Sequence, residues 1–549
     1  MSSFYSPYLR KLFTDRAREL SLLGHVADEL QEGRPTHVAI FGLRRIGKTL
    51  LAQEQVTRLQ DQRVVAPVYM DMQAICSAPE PFAQRYIGLT CYWVLGKGEG
   101  PVEAYLTADR LLETEAATNP IVARTVGTLI RELGQRKPDY SLLVKLALDF
   151  PDKLARAVDQ SIMCFLDEFP ELASLSNFPG LGDPLKHFRA SLQQQSRVAY
   201  VITGSAVTAM ENLIRDHESP LFLQFRALEL HPFTKEDTSR LVERLLPGLS
   251  PSVQSAIYTY TFGHPFYVTA VTERLRELVA HVSELGVDQV QQAFLLETLT
   301  RQGQIYGYCR YLYDISLQKA RGYGLLKALL QILAEEEGLT LSEAARRLRR
   351  QASATREYLR WLTDVDLIIR EDKRYYYRDP VLRFWVAYTG QGVEVDVFPR
   401  REDLEDLIAA LAERFQRVST QLGRAKESEI RELLRRLSGR QVPGQHFGQD
   451  KLVQVPRFVQ VEPYLSPDGQ IELDALAEGE EPWVVEVKWR LKRVGIGELK
   501  QLLEHAETFG ARAWCISQAG FTHEASAFAK KSGVLISQAD DLEALQRSV

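Results

Sequence analysis

The chain contains 549 residues, 45% of them apolar and 25% charged, which excludes a disordered or fibrous protein and allows several domains of roughly 100–200 residues. Its net charge of −5 excludes a uniformly basic nucleic-acid coat, although it is compatible with a local basic face. No apolar run approaches the ~20 residues of a membrane helix, the first residues lack a signal peptide's apolar stretch, and the five cysteines form no C-x-x-C pair. We therefore expect a reduced, cytoplasmic protein with no membrane partner.

Residues 1–235 alternate short apolar runs with helical periodicity, which predicts an α/β domain with a parallel sheet. A helix is expected near Asp15–Leu30, with Thr14 as its N-cap. The segment from about 80 to 158 has helical periodicity without a strong strand, so we interpret it as an insertion. The predicted strands are HVAIFG, Pro67–Met72, Ser161–Glu168, Arg197–Ser205 and Leu228–Phe233.

Four further segments follow along the chain. Residues 236–320 are predicted to form a helical lid, and residues 321–395 give helices followed by a two-stranded wing, the pattern of a winged helix. Residues 396–425 are interpreted as a charged helical linker. Residues 426–549 alternate strands and helices again, so the predicted fold class is multidomain α/β.

The loop GLRRIGKT fits the pattern G-x-x-x-x-G-K-[ST] between a predicted strand and a predicted helix. Gly42 and Gly47 let the backbone wrap a polyphosphate with its N–H groups pointing inward, at the positive end of the helix. Lys48 can reach the β- and γ-phosphates, and the Thr49 hydroxyl can ligate Mg²⁺. The predicted nucleotide-binding residues of this loop are Gly42, Arg44, Arg45, Gly47, Lys48, Thr49 and Leu50.

The strand IMCFLDE ends in the acidic pair Asp167 and Glu168. Asp167 is expected opposite the phosphate loop, where it can hold Mg²⁺ through water, and Glu168 beside it is the expected base that polarises an attacking water. The alternative is a solvated acidic loop, which the upstream phosphate loop makes the weaker interpretation.

Further positions are candidates near the nucleotide, each with an ordinary structural alternative. Thr203 and Ser205 end the strand VITGS, either as a polar sensor of the γ-phosphate or as a simple turn. Arg226 could stabilise charge in the transition state, in the same chain or across a subunit boundary, or form a surface ion pair. Pro265 in GHPF and Arg16 could pack against the adenine or serve only in packing and capping.

The motifs FTDRARELSLL, GLRRIGKT, FLDEFPEL, VITGS, FRALELHPF and GHPFY, over about residues 10–315, resemble the archaeal-type P-loop ATPases of the STAND/AAA+ group. The resemblance implies ATP and Mg²⁺ as cofactors, with Lys48, Thr49, Asp167 and Glu168 as ATPase residues. It also implies a winged helix directly after the ATPase, and RYYYRDPVLRFW is similar to the family's wing exit. We expect a homo-oligomer assembled through the ATPase domain.

Residues 321–390 carry 13 basic and 10 acidic residues, so the predicted winged helix has a net charge of only +3. A helix-turn-helix places its second helix in the major groove of DNA and a wing on adjacent phosphates. The alternatives are a protein-docking or lid element and a solvated charged face. The predicted DNA-binding residues are Arg349, Arg350, Arg356, Arg360, Lys373 and Arg374.

Near the C-terminus, Asp474 lies close to the end of one predicted strand, and Glu486 and Lys488 lie on the next. Residues two apart in a strand share a face, and a hairpin brings Asp474 alongside them. The two carboxylates and the carbonyl of Val487 can then bind Mg²⁺, or Mn²⁺ in its place, while Lys488 positions or helps to deprotonate the attacking water. These charges lie within the apolar run VVEVK, where burial without a role would be costly.

This C-terminal segment resembles the PD-(D/E)xK nuclease fold in its Mrr- and Holliday-resolvase-like branch, so a restriction-endonuclease-like α/β domain is expected over 426–549. The resemblance implies a catalytic Glu427 in the first helix, with Glu429 as its rival, and Gln501 in the later helix. The family's proline is absent here, because Leu473 precedes Asp474.

Three hypotheses follow for the whole chain. In the first, an ATPase and a winged helix control a metal-dependent DNA endonuclease. In the second, the chain is a STAND-type regulatory switch in which the nuclease-like domain does not cut. In the third, it is a DNA-remodelling ATPase of a mobile element or defence system, whose nuclease acts only with a protein partner.

Overall fold

The computed structural model describes residues 4–278, 285–318, 323–336, 338–389, 430–431, 433–466, 471–488 and 493–547. Its contacts divide the chain into two compact units. The first unit comprises residues 1–335 and 339–394, and the second comprises residues 336–338 and 395–549.

A five-stranded parallel sheet forms the centre of the first unit. Its strands are β1 Val38–Phe41, β2 Ala66–Asp71, β3 Ile162–Asp167, β4 Val198–Gly204 and β5 Arg226–Glu229. They lie in the order β2-β3-β4-β1-β5, so that β5 is an edge strand. Residues of β1, β3 and β4 are buried along the whole strand, as in parallel sheets with helices on both faces, which explains the continuous apolar runs in the sequence.

Ten helices are described around this sheet. They are α1 Pro7–Leu12, α2 Ala17–Gln31, α3 Lys48–Gln62, α4 Met72–Ile75, α5 Pro79–Val94, α6 Ala108–Leu112, α7 Pro120–Leu133, α8 Tyr140–Ala157, α9 Pro184–Leu192 and α10 Val207–Arg215. Helices α4 to α8 lie between β2 and β3 in the chain and form the predicted insertion. Short 3₁₀ helices cover residues 102–105, 115–118 and 169–177.

Two expected boundaries in this region are wrong. The first long helix begins at Ala17, because Asp15 and Arg16 have φ angles of 60° and 66° in the left-handed region, and the Thr14 hydroxyl donates to the Leu12 carbonyl instead of capping a helix. The last strand is β5, not Leu228–Phe233, since β5 is the segment that pairs with β1.

Five helices and then a smaller module complete the described part of the first unit. The helices are α11 Lys235–Leu245, α12 Pro251–Thr261, α13 Pro265–Leu278, α14 Val287–Leu299 and α15 Gln304–Gln318. The module is α16 Tyr323–Glu335, β6 Leu339–Thr340, α17 Leu341–Leu348, α18 Ala352–Asp364, β7 Ile368–Glu371, β8 Arg374–Tyr377 and α19 Pro380–Thr389. Its antiparallel strands lie in the order β6-β8-β7. Along the chain, three helices precede the hairpin of β7 and β8, which is the predicted order of elements.

The second unit contains a mixed sheet. Its elements are β9 Gln441–Val442, β10 Val453–Gln454, β11 Phe458–Leu465, β12 Glu472–Gly479, β13 Trp483–Lys488, α20 Ile496–Thr508, β14 Arg512–Ser517, α21 His523–Ser532, β15 Leu535–Gln538 and α22 Ala539–Arg547. Strands β11, β12 and β13 are antiparallel, whereas β13, β14 and β15 are parallel. The fully buried Trp483 and Trp514 pack at the centre of its core.

The predicted fold class is confirmed: a parallel-sheet P-loop unit with helices precedes a separate unit with a mixed sheet. The sequence analysis missed β9, β10 and α22. The predicted linker over 396–425 lies outside the described residues. None of the helices in the described ranges is long and apolar enough to cross a membrane.

Candidate nucleotide and nuclease sites

The glycine-rich loop connects the carboxyl end of β1 to the first turn of α3. Gly42 and Gly47 have φ angles of 150° and 106°, a region in which residues with a Cβ are strained. A Cβ on Gly42 would also lie 2.5 Å from the carbonyl oxygen of Leu230. Both glycines are therefore required by the path of the loop, which leads directly into the N-terminus of α3, where backbone N–H groups can bind an anion. Leu50 lies half-buried in the first turn of α3.

Lys48 is buried beneath this loop. Its ammonium group donates hydrogen bonds to the carbonyl oxygens of Gly42, at 2.8 Å, and Leu43, at 2.9 Å. Burial lowers the pKa of Lys48 to about 8, although the nearby carboxylates of Glu168 and Asp167 oppose this shift. These carboxylates do not form an ion pair with Lys48, nor does any other carboxylate in the described part of the chain, and a phosphate group would supply a direct anionic partner.

Asp167 ends β3 and binds three hydroxyl groups. Its Oδ2 atom accepts hydrogen bonds from Thr49 Oγ1 at 2.8 Å and from Tyr69 Oη at 2.7 Å, while Oδ1 accepts one from Thr203 Oγ1. Thr49 and Asp167 thus present a hydroxyl and a carboxylate in contact, the hard oxygen donors that Mg²⁺ prefers. The residues present fit a nucleotide-bound Mg²⁺ ion.

Glu168 follows in a left-handed conformation, with a φ angle of 51°, that turns its side chain away from the direction of the strand. Its carboxylate accepts hydrogen bonds from the Ser205 hydroxyl at 3.1 Å and the Ser205 amide at 3.3 Å. These two hydrogen bonds hold the Glu168 carboxylate beside Ser205, directly after the carboxyl end of β4. A water-activating base is expected at this edge of the sheet.

The helical lid contacts the phosphate loop from the other side. The carbonyl oxygen of Arg44 accepts hydrogen bonds from His264 Nε2 and Tyr308 Oη, both at 3.1 Å. Burial lowers the pKa of His264 to about 3, so its ring is neutral when it makes this contact. Pro265 begins α13 directly after His264. These contacts place the GHPF motif beside the phosphate loop.

The guanidinium groups of Arg44 and Arg45 lie against aromatic rings of the lid. Arg45 lies 4.3 Å from the ring centre of Phe266 and 5.0 Å from that of Tyr308, and Arg44 lies 5.9 Å from that of Tyr311. Their contact with a nucleotide stays a prediction.

The structure gives the surroundings of two further predicted arginines. Arg16 is buried, its guanidinium donates to the carbonyl of His231 at 2.9 Å and it lies 3.6 Å from Glu19. Its contact with an adenine stays a prediction. Arg226 pairs with Val38 at the amino end of β1, whereas the phosphate loop leaves the carboxyl end. This register favours a role across a subunit boundary over a role in the same chain, and both stay predictions for Arg226.

The 323–389 module docks on the sheet domain next to this site. Asp366 Oδ1 accepts hydrogen bonds from the amide of Thr208 at 3.0 Å and from its hydroxyl at 2.7 Å, at the N-terminus of α10. Arg378 lies 3.4 Å from the same carboxylate, and Trp361 of α18 donates to the carbonyl of Ser316 at 3.2 Å.

The six arginines and lysines predicted to bind DNA are all exposed. They are Arg349, Arg350, Arg356, Arg360, Lys373 and Arg374. Arg360 lies 3.9 Å from Asp364, and Arg374 lies 3.6 Å from Glu343, distances typical of weak surface ion pairs.

In the second unit, β12 and β13 bring the predicted carboxylates together. Ala475 pairs with Val485, so Asp474 and Glu486 are the next positions of the same register. Asp474 Oδ2 accepts a hydrogen bond from the Val487 amide at 2.6 Å. The N–H and C=O groups of one strand residue point to the same side, so the Val487 carbonyl is expected on the side of β12. Its role as a metal ligand stays a prediction. Lys488 Nζ donates a hydrogen bond to Glu486 Oε1.

A β-bulge aims Asp474 at this site. On the other side of β12, Glu462 pairs with Leu476 and Tyr464 with Leu473, so Asp474 and Ala475 together oppose the single residue Pro463. A bulge changes the direction of a side chain, and a proline, which lacks an N–H group, is tolerated at such a position. The D…ExK spacing alone does not predict this bulge or the proline opposite it.

The environment of Glu486 is partly apolar. Cys515 of β14 pairs with Glu486, and burial raises the pKa of the Cys515 thiol, with a further contribution from the charge of Glu486. Gln501 lies exposed on α20, and no contact joins it to these carboxylates, while Glu427 and its rival Glu429 lie outside the described residues. Across the described ranges, no group of three or more His, Cys, Asp or Glu side chains is placed to hold a metal ion. Two carboxylates, one carbonyl and retained waters nevertheless fit Mg²⁺.

Both sites lie in parts of the chain that match known protein families. Residues 13–271 match the family described as ATPase domains predominantly from Archaea, and residues 457–546 match a restriction endonuclease family of the Mrr type. The chain joins an archaeal-type ATPase domain to an Mrr-type endonuclease domain. The expected resemblances to an archaeal-type ATPase domain and to an Mrr-type domain are thereby confirmed, while the STAND/AAA+ group and the winged helix stay predictions. No curated relative matches the chain.

Several solved structures are similar to the chain at low identity. The Walker-type ATPase of Pyrococcus abyssi is 15% identical over 68% of this chain and 96% of its own, with a TM-score of 0.48. The ORC2 protein of Aeropyrum pernix, in ADPNP–ADP complexes, is 15% identical over 75% of this chain and 98% of its own, with a TM-score of 0.44. The RuvB Holliday junction branch migration motor of Thermotoga maritima is 15% identical over 70% and 97%, with a TM-score of 0.33.

Sequence reasoning missed several residues of the ATPase site. Tyr69 binds Asp167 but belongs to no motif, and its only signal was a hydroxyl inside an otherwise apolar strand. Tyr308 reaches Arg44 from a helix that is 264 residues away in the chain. Asp366 approaches the site from the 323–389 module, and no local pattern marks it.

Proposed function

We propose that this chain is an ATP-dependent DNA-processing enzyme, in which the ATPase domain controls metal-dependent cleavage of DNA by the Mrr-type domain. The observation that carries the proposal is the pair of oxygen-rich sites described above, one in each unit. In the first, Lys48, Thr49 and Asp167 meet at the carboxyl edge of a parallel sheet. In the second, Asp474 and Glu486 occupy opposed positions on neighbouring strands.

At the ATPase site, each residue has a distinct role. The loop over Gly42–Leu50 binds the phosphates through its amides, and Lys48 exchanges its bonds to loop carbonyls for the β- and γ-phosphates. Thr49 and Asp167 hold Mg²⁺, which neutralises charge on the transferred phosphate when bound. Glu168 accepts a proton from the attacking water.

Two further contributions complete this site. Thr203 hydrogen-bonds Asp167 and lies on the strand next to it, which suits a sensor of the γ-phosphate. Arg226 is exposed on the edge strand β5, where it is accessible to a neighbouring copy of the chain. We propose a homo-oligomer in which Arg226 stabilises the transition state of the adjacent protomer.

The 323–389 module is proposed to be a winged helix that binds DNA. Its helix–strand–helix–helix–hairpin order and its exposed arginines on and before α18 support this role. The hairpin tip carries Lys373 and Arg374 towards solvent, as a wing on adjacent phosphates requires.

At the nuclease site, Asp474, Glu486 and the Val487 carbonyl are proposed to hold Mg²⁺ or Mn²⁺, which polarises the scissile phosphate when bound. Lys488 positions the attacking water and stabilises charge that develops on the phosphate. The roles of Glu427 and Gln501 rest on the family resemblance alone.

The test of this function is a panel of labelled single-stranded, duplex and branched DNAs, incubated with Mg²⁺ or Mn²⁺, with and without ATP. We expect cleavage that is lost in Glu486→Ala and kept in the matched variant Glu478→Ala, which removes an exposed carboxylate from β12. Cleavage that survives Glu486→Ala would assign the activity to another site or to a contaminant.

A regulatory ATPase switch is the second candidate. The docking of Asp366 on Thr208 favours it, because it ties the 323–389 module to the helix that follows the sensor strand. In this case the wild type cleaves none of the DNAs with either metal, and ATP changes only the assembly or the partners of the chain.

A further inference from the structure

Tyr69 lies outside every sequence motif of the ATPase domain, yet its hydroxyl touches the proposed Mg²⁺ ligand. Its Oη atom donates to Asp167 Oδ2 at 2.7 Å, the same oxygen that accepts the Thr49 hydroxyl at 2.8 Å. We propose that Tyr69 is a positioning residue that orients the Asp167 carboxylate for the metal ion. This inference rests on the proposed ATPase function.

The register of the sheet explains why a tyrosine is suited to this position. Tyr69 of β2 pairs with Phe165 of β3, and Asp167 lies two residues further on, so it shares a face with Phe165. The long phenol ring reaches forward along that face to the carboxylate. The residue directly paired with Asp167 is Asp71, whose carboxylate is already engaged in capping α4 through the amide of Gln73 at 2.9 Å.

Tyr69 is fixed in place by its neighbours. Phe4 packs edge-on against its ring at 4.8 Å, and the indole N–H of Trp93 donates to its carbonyl at 3.0 Å. Burial raises the pKa of Tyr69, and the charge of Asp167 raises it further. The phenol therefore stays protonated and serves only as a donor to the carboxylate near neutral pH.

The pattern of acceptors then determines where a cation can bind. A carboxylate oxygen offers two lone pairs. Thr203 donates a hydrogen bond to Oδ1 of Asp167, while Tyr69 and Thr49 both donate to Oδ2. A metal ion held by Thr49 and Asp167 would bind a carboxylate lone pair that these hydroxyl groups do not occupy, and the Thr49 oxygen could bind it while its proton stays on Oδ2. Because Tyr69 also donates to Oδ2, it would hold the carboxylate in this orientation.

The experiment compares the wild type with Tyr69→Phe, which removes only the hydroxyl. Mn²⁺ affinity is measured in the presence of a non-hydrolysable ATP analogue, from the electron paramagnetic resonance signal of free Mn²⁺. All the proteins compared carry Glu486→Ala, so that the proposed metal site of the second unit does not contribute. Outer-shell partners of metal ligands typically affect affinity by 10- to 100-fold, so we expect Kd for Mn²⁺ to rise about 10-fold. Affinity for the analogue in EDTA should be unchanged. The matched control is Tyr92→Phe, since Tyr92 donates to the Gly98 carbonyl at 2.6 Å, and its affinity for Mn²⁺ should equal that of the wild type.

The outcomes separate this inference from the proposed function. If Tyr69→Phe binds Mn²⁺ like the wild type while Asp167→Asn loses it, the metal site stands and the role of Tyr69 is overturned. If Asp167→Asn also binds Mn²⁺ normally, the proposed metal site itself fails. If Tyr69→Phe weakens the analogue equally with and without metal, the residue supports only the local fold, and the inference is again overturned.

Discussion

Replacing Lys48 with methionine should stabilise the protein without nucleotide, although it removes ATP binding. Burial lowers the pKa of Lys48 from 10.5 to about 8, a difference worth about 3 kcal/mol at 1.36 kcal/mol per pKa unit. This is the cost of charging Lys48 in the folded state. Methionine avoids it but loses the two hydrogen bonds to Gly42 and Leu43, at about 1 kcal/mol each, which leaves a net gain of about 1 kcal/mol.

The dependence on pH follows from linkage. Below pH 8 the lysine is charged in both states and the full cost applies. Between about pH 8 and 10.5 the unfolded chain binds a proton that the folded chain does not, so the wild type gains stability with rising pH relative to Lys48→Met. The advantage of the variant is therefore largest near pH 7, disappears near about pH 9 and reverses towards pH 10.

The assay is urea unfolding of the nucleotide-free protein at pH 7, 8.5 and 10, with binding of a fluorescent ATP analogue measured in parallel. The exposed Lys145→Met of α8 is the matched control and should change stability by less than about 0.5 kcal/mol. A Lys48→Met variant that is less stable at pH 7, or whose stability difference does not vary with pH, would refute this reasoning.

Four further predictions concern the two sites and the 323–389 module. Glu168→Gln should keep ATP binding but slow hydrolysis by about 10²- to 10⁴-fold, because only the proton acceptor is lost, as measured by phosphate release. Removing Arg356 and Arg360 together should lower the slope of log K against log salt concentration by about 2 in a DNA-binding titration, and an unaltered slope would indicate a docking surface instead. Glu486→Ala should abolish cleavage and leave ATP hydrolysis near the wild-type rate, as paired gel and phosphate assays would show. Asp366→Ala should lower the free energy of unfolding of the nucleotide-free protein by about 1–3 kcal/mol, since it removes the acceptor of two hydrogen bonds, and a smaller loss in urea unfolding would mean that the docking contact is weak.

The surroundings of Arg226 and Arg16 could not be predicted from their motifs. Arg226 and Arg16 both belong to recognisable motifs, but a motif does not reveal which end of a strand a side chain occupies. Arg226 lies at the amino end of β5 because the pairing with β1 begins there. Arg16 turns inward because two consecutive left-handed residues redirect the chain before α2.

The amino-acid sequence by itself determined the features that depend on residues close together in the chain. Apolar runs bounded by glycine, or by an acidic pair, mark the strands that end at the phosphate loop and at Asp167, because strand burial and loop conformation are local properties. The D…ExK pair was visible for the same reason, since a hairpin joins neighbouring strands.

The tertiary structure alone decided which distant groups complete these sites. Tyr69 meets Asp167 through the parallel register of two strands that are separated by the whole helical insertion. Tyr308 and Asp366 arrive from the lid and from the 323–389 module. The bulge opposite Pro463 re-aims Asp474 through a mismatch between strands. The contacts of Tyr69, Tyr308 and Asp366 depend on packing between segments far apart in the chain, and the bulge depends on the pairing of two neighbouring strands. No local pattern of residues encodes either of them.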